Sequence, residues 1–216
     1  MNNDTIIEKV EEAIAELYNE YQNEPSLFYN EHDLMHRLGT LLDGRLEEKY
    51  LDKENQPHRL MHYEFATLEK CFMKDGGYTS IPDDVKRFKE KKVGRGHFDL
   101  VVLNPEAIQS NTTINLSNPY FKYCRFGIRH WSEENGKPIF LYALEMMDLE
   151  RISQGNKEKI WQDLKKLIAL RDKGYVRKIK FLVFLWNNPK EDRIRQLREE
   201  FRDYPEVIIP NPNKKE

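Results

Sequence analysis

Two carboxylates stand in apolar company, where a charge without a partner is costly to place. Asp99 lies inside "HFDLVVLN" and Glu145 inside "IFLYALEMMD". Both stretches predict β-strands. Side chains alternate along a strand, so His97, Asp99, Val101 and Leu103 share one face, and Leu141, Ala143, Glu145 and Met147 share one face. If the two strands are neighbours, Asp99 and Glu145 lie side by side. Carboxylates held close between apolar walls repel, and one normally takes up a proton. A divalent cation removes that conflict. Oxygen-only ligation suits Mg²⁺ or Mn²⁺, with the remaining positions held by water or substrate phosphate. Such a cation can polarise a phosphoryl oxygen and activate a water.

A third carboxylate is available from Glu31, in "NEHDLMHRLGTLLDGRLEEKY". Asn30 is the expected N-cap of a helix there, with Asp33 in the capping-box position. Leu34, Leu38, Leu41 and Leu42 form its apolar stripe. Glu31 lies on that same side, because residues three and four apart are neighbours on a helix surface. Glu64, in "LMHYEFATLEKC", is the other source of a third carboxylate, and the sequence leaves both open.

The elements that must position these groups read as follows. A first helix, roughly Asp4 to Tyr21, carries Ile6, Ile7, Val10, Ala13, Ile14 and Leu17 on one face. Pro25 breaks it before the second helix. The segment holding Glu64 predicts a strand, and Lys74 to Gly96 a loop or hairpin. "HFDLVVLN" ends at Asn104-Pro105, and 105–137 reads as an insertion. The next strand covers 138–147. "NKEKIWQDLKKLIALRDKG" is an amphipathic helix with Ile160, Trp161, Leu164, Leu167 and Ile168 inward and Gly174 as its stop. "KIKFLVFLW" predicts a fully buried strand. A charged helix, "PKEDRIRQLREEFRDY", and a short strand, "EVIIP", close the chain. The order α-α-β-β-β-α-β-α-β predicts an α/β domain with a mixed sheet flanked by helices.

A helix-borne Glu, an Asp early in an apolar strand, a Glu two residues before the motif lysine position in the next strand, then a helix and an apolar strand is the order of the PD-(D/E)XK nuclease superfamily. The chain resembles that superfamily across roughly 27–187. The resemblance implies a restriction-endonuclease-like fold, Mg²⁺ or Mn²⁺ bound by Asp99 and Glu145 with Glu31, and phosphodiester hydrolysis of DNA or RNA. It also brings forward Gln162 and Lys165 from "IWQDLKKL", since several branches carry a Gln or Lys on that helix that reaches the site. One departure is plain: Met147 stands at the lysine position. That lysine normally positions or polarises the attacking water and balances charge. Methionine does neither. Lys165, Lys92 or Arg95 are the expected substitutes. The other reading is a catalytically inactive member that binds nucleic acid or a protein.

Each carboxylate also has a plainer role open to it. Asp99 would then bond a backbone amide or Arg95, and Glu145 would form a buried ion pair with Arg151 or a lysine. Glu31 at a helix start is also favourable helix electrostatics. "HDLMH" sets His32 and His36 at zincin spacing, but Asp33 replaces the expected Glu and no third ligand follows; His58 and His62 repeat the spacing. "YFKYCRFGIRHW" interleaves aromatic residues with Lys122, Arg125 and Arg129. That pattern suits single-stranded nucleic acid, a satellite core or a contact between copies in a homodimer.

Composition bounds the rest. The chain has 216 residues, 33% charged and 39% hydrophobic, with a formal net charge of −2, which argues against a uniformly basic nucleic-acid binder but not against a local basic groove. Cys71 and Cys124 are the only cysteines, so neither a disulfide framework nor a cysteine-rich zinc site is expected. No segment reads as a signal peptide or membrane helix, and a cytoplasmic setting is expected. The expected division is an N-terminal helix at 1–26 packed on the domain, a nuclease-like domain at 27–210, and a tail at 211–216.

Overall fold

The computed structural model describes residues 1–74, 77–81, 87–88, 91–92, 94–111, 131–149, 152–185 and 190–209, with backbone alone at 66–96. Helix α1 (Asn3–Asn23) starts where the Asn2 side chain accepts from the Thr5 amide. It buries Ile6, Val10, Ala13, Ile14, Leu17 and Tyr21, one stripe at helical spacing. Helix α2 (Glu31–Arg45) is tied at its start from both directions. Asn30 Oδ1 accepts from the Asp33 amide at 3.1 Å, and the Tyr29 amide donates to Asp33 Oδ2 at 2.8 Å. Its buried residues are Leu34, Leu38, Gly39, Leu41 and Leu42.

A small antiparallel pair follows, β1 (Tyr50–Leu51) with β2 (Pro57–His58). Strand β3 (Met61–Lys74) turns into β4 (Gly77–Ile81), so the expected loop-or-hairpin begins with a hairpin. After a second short pair, β5 (Arg87–Phe88) with β6 (Lys91–Lys92), β7 runs from Gly94 to Leu103. Helix α3 (Pro105–Gln109) is capped by Asn104, whose side chain accepts from the Glu106 amide. The 105–137 insertion is described only at its two ends. Its aromatic and basic stretch, including Lys122, Cys124, Arg125 and Arg129, lies outside the described residues. Strand β8 (Phe140–Leu149), helix α4 (Gln154–Asp172), strand β9 (Val176–Leu185), helix α5 (Glu191–Glu200) and strand β10 (Val207–Ile208) complete the chain.

The six-stranded sheet has the order β10-β9-β8-β7-β3-β4. β7 pairs antiparallel with both β3 and β8, whereas β8–β9 and β9–β10 are parallel. The protein is therefore an α/β fold with a mixed sheet. The parallel β8–β9 connection needs a crossover, which α4 supplies. Every residue from Ile139 to Met146 is buried, as a central strand covered on both faces requires.

Strand parity assigns the covers. Tyr142 of β8 points toward α1, where its hydroxyl donates to Glu11 Oε1 at 2.7 Å. Glu145, of opposite parity, points toward α4, where it meets Lys166. Helix α5 lies beside α4, with the Trp161 ring 4.7 Å from that of Phe201 and 5.0 Å from that of Tyr204. The apolar residues of α1 and α2 join the sheet in one continuous core. Among the described residues no helix is long and apolar enough to cross a membrane.

Candidate active site

Asp99 sits where two ladders give way. The β7–β8 register pairs Leu100 with Leu144, Val101 with Ala143 and Val102 with Tyr142. One step further sets Asp99 across from Glu145, on the face they share with Val101 and Ala143. The strands part at that step, so the Met146 amide needs another acceptor. Asp99 Oδ2 provides it at 2.6 Å. On the other side, β3 pairs Tyr63 with Leu100 and Phe65 with Phe98. Glu64, between them and level with Asp99, has a left-handed backbone (φ 48) that interrupts regular pairing.

Glu145 is only 5% exposed. Lys166 of α4 brings its Nζ to 2.5 Å from Glu145 Oε1. The same ammonium donates to the His97 carbonyl at 2.8 Å and to Asp163 Oδ1 at 3.2 Å. The contact joins two buried groups, the Lys166 side chain 8% and that of Glu145 6% exposed. Glu31 approaches from α2, its carboxylate accepting from the backbone N–H of Asp148 at the end of β8.

Charge is unevenly matched here. Burial, together with the charges of Asp99 and Asp148, pushes Glu31 up to about 7, although the Asp148 amide bond opposes the shift. Burial also raises Asp99, with Glu64 and Asp163 adding to it, while the Met146 amide and Lys166 pull it back. Burial drives Glu145 well above the usual carboxylate range, against the pull of Lys166 and with help from Asp99 and Asp163. Burial alone would lower Lys166, but Glu145 and Asp163 outweigh it and hold the ammonium charged. These last two directions compete, because an ionised Glu145 is part of what raises Lys166. The ammonium keeps Asp163 and the His97 carbonyl as acceptors in either case, so Lys166 is the fixed charge of the site. One ammonium faces several carboxylates, and burial favours the protonated forms of Glu31, Asp99 and Glu145.

Of the residues expected from sequence, Asp99, Glu145 and Glu31 are electrostatically coupled neighbours. Glu64 lies level with Asp99 and is coupled to it. Gln162 is exposed on the helix surface. Lys165 Nζ is 5.8 Å from the centre of the Trp161 ring, on the α5 side of the helix. The lysine at Glu145 is its neighbour, Lys166. Met147, two residues beyond Glu145 on the same face, is half-buried and packs against the core. His32 and His36 are exposed, and His58 Nε2 lies 3.0 Å from buried Asp52, holding the β1–β2 turn rather than a metal set. The side chains of Lys92, Arg95 and Arg151 lie outside the described residues.

Lys166, Asp163 and Asp148 are the residues sequence reasoning missed. Helical phase explains the lysine. At about 100° per residue, counting Trp161 and Ile168 as inward swings the apolar arc toward Lys165. In the fold Ile160, Leu164, Leu167 and Leu170 are buried, while Trp161 and Ile168 are only half-buried. That arc flanks Asp163 and Lys166 instead. Leu170 is the sequence signal that fixes this arc.

Both plainer roles are filled as well: Asp99 caps a backbone amide and Glu145 has a lysine. Among the described residues no group of three or more His, Cys, Asp or Glu side chains forms a ready-made metal cage. The donors nonetheless fit Mg²⁺ or Mn²⁺, which bind through one or two carboxylates and keep several waters. The donor set is the observation in favour: the carboxylates of Glu31, Asp99 and Glu145 are electrostatically coupled beside one ammonium. No protein-family model matches the sequence, and neither curated proteins nor solved structures yield a match.

Proposed function

We propose that this protein is a Mg²⁺- or Mn²⁺-dependent nuclease of restriction-endonuclease-like architecture, related to the PD-(D/E)XK superfamily and acting on DNA or RNA. The observation that carries the reading is Asp99 level with Glu145, with the Lys166 ammonium at Glu145. Asp99 and Glu145, supported by Glu31, would hold the cation. When bound, it would supply Lewis acidity to a phosphoryl oxygen and to the attacking water. Asp99 is held in orientation by the Met146 amide. Lys166 keeps its charge and so serves as a fixed positive point that offsets negative charge developing at phosphorus, not as a proton acceptor. It supplies from α4 what Met147 cannot supply from β8.

A second reading has its own observation. All three N–H groups of Lys166 have partners, so the network is close to complete as a purely structural one. A non-catalytic module that binds nucleic acid or protein would use the same fold.

Incubation with single- and double-stranded DNA and RNA, with and without Mg²⁺ or Mn²⁺, separates the two. The nuclease reading expects metal-dependent cleavage that is lost in Asp99→Asn, which keeps an acceptor for Met146. Cleavage that survives Asp99→Asn would place the chemistry elsewhere. Binding without cleavage by the wild type would favour the module.

A further inference from the structure

The three contacts of Lys166 are unequal. The His97 carbonyl and Asp163 Oδ1 take directed hydrogen bonds, at 2.8 Å and 3.2 Å. Glu145 Oε1, at 2.5 Å, is held as a buried ion pair, and it belongs to the carboxylate a cation would also bind. Glu145 is buried and can move little, whereas the Asp163 side chain is 37% exposed and sits one helical turn before Lys166. A dication on the Glu145 carboxylate repels the adjacent ammonium strongly in so buried a place, whichever of the two oxygens it takes.

We infer that Lys166 and a divalent cation compete for Glu145, and that Asp163 is the positioning residue that retains Lys166 in the site when the cation takes the carboxylate. The inference rests on the cation site proposed above and adds an exchange. Without a divalent cation, Lys166 neutralises Glu145 as an internal counterion. When a cation arrives, the ammonium gives up the Glu145 contact and keeps those with the His97 carbonyl and Asp163. One N–H is then free to face water or phosphate. No proton moves and no covalent bond changes.

The test is calorimetric titration of Mn²⁺ alone, at pH 8, into the full chain and three variants: Asp163→Asn, Lys166→Met and the double variant. At pH 8 Lys166→Met should tighten Mn²⁺ binding about tenfold, because the cation then displaces only a proton from the stranded Glu145 and no longer an ammonium. Asp163→Asn should weaken it about tenfold, because Lys166 loses its second anion and stays on Glu145. In the Lys166→Met background the Asp163→Asn effect should shrink to less than about twofold, the signature of action through the lysine. Equal weakening in both backgrounds would make Asp163 a plain negative charge or a ligand, and would overturn the inference. So would unchanged or weaker binding by Lys166→Met. Lys166→Gln serves where Lys166→Met does not fold by circular dichroism. A wild type that binds no Mn²⁺ would overturn the cation site itself, together with this exchange.

Discussion

Lys166 Nζ stands 2.5 Å from Glu145 Oε1 and reaches it from helix α4, while Met147 occupies the strand position two residues beyond that glutamate. The lysine is 8% and the glutamate 6% exposed along their side chains, so the pair is desolvated on both sides. Removing one member of such a pair leaves an uncompensated buried charge. Lys166→Met should therefore lower stability by about 3–5 kcal/mol at pH 8. Burial holds Glu145 above its unfolded value, so the glutamate escapes the penalty by taking a proton. The loss should be small near pH 5 and grow as pH rises. Urea unfolding at the two pH values measures it, and an equal loss at both would deny that Glu145 is the group left stranded.

Glu31 sets a pH dependence in the cation-free protein. Its folded value, about 7, exceeds the ordinary glutamate value of 4.5. A group raised on folding contributes stability that is complete below its unfolded value and is lost as pH rises through the folded one. That window is roughly pH 4.5 to 7. Thermal unfolding in a chelator should show Glu31→Gln gaining relative to wild type between pH 5 and pH 8. With solvent screening allowed for, a gain of about 1 kcal/mol is expected, or roughly 2–4 °C in Tm for a domain this size. A gain of the same size at pH 5 would contradict the assignment.

Gly39 gives a packing test of the helix that carries Glu31. A Cβ at this buried position would lie 1.4 Å from the Tyr63 hydroxyl oxygen and 2.7 Å from the ring carbon bearing it. The phenol of β3 thus rests directly on the α2 backbone. Gly39→Ala should destabilise by about 1–2 kcal/mol. In a Tyr63→Ala background the same change should stabilise by up to about 1 kcal/mol, as helix propensity alone dictates. Thermal or urea unfolding of the four proteins reads the reversal of sign.

What was legible in the sequence follows from which signals are local. The α2 start was readable because Asn30 and Asp33 cap it with their own side chains. Parity placed Asp99 and Glu145 on facing positions because each strand keeps its alternation through the site. The β3 segment reads as a strand from its sequence, while β4, the uncharged "GYTSI", is too short to stand apart from the charged residues around it, so the stretch after Lys74 reads only as a loop or hairpin. Glu64's left-handed backbone had no signal at all, because nothing in "HYEFA" requires a positive φ. Lys166 was missed by one residue for a nonlocal reason. Trp161 packs against Phe201 and Tyr204, just past the end of α5, so its bulk points to the wrong side of α4.

The transposed lysine is the claim most directly open to measurement. Met147 lies on the same face of β8 as Glu145, so a lysine restored there has access to the same carboxylate. Single-turnover cleavage of a labelled nucleic acid in Mg²⁺ should be compared for wild type, Lys166→Met, and Lys166→Met combined with Met147→Lys. The account predicts metal-dependent cleavage by wild type, a fall of about 10²–10³ for Lys166→Met, and partial recovery when Met147→Lys is added. Cleavage by Lys166→Met at the wild-type rate, or none by the wild type itself, would contradict it.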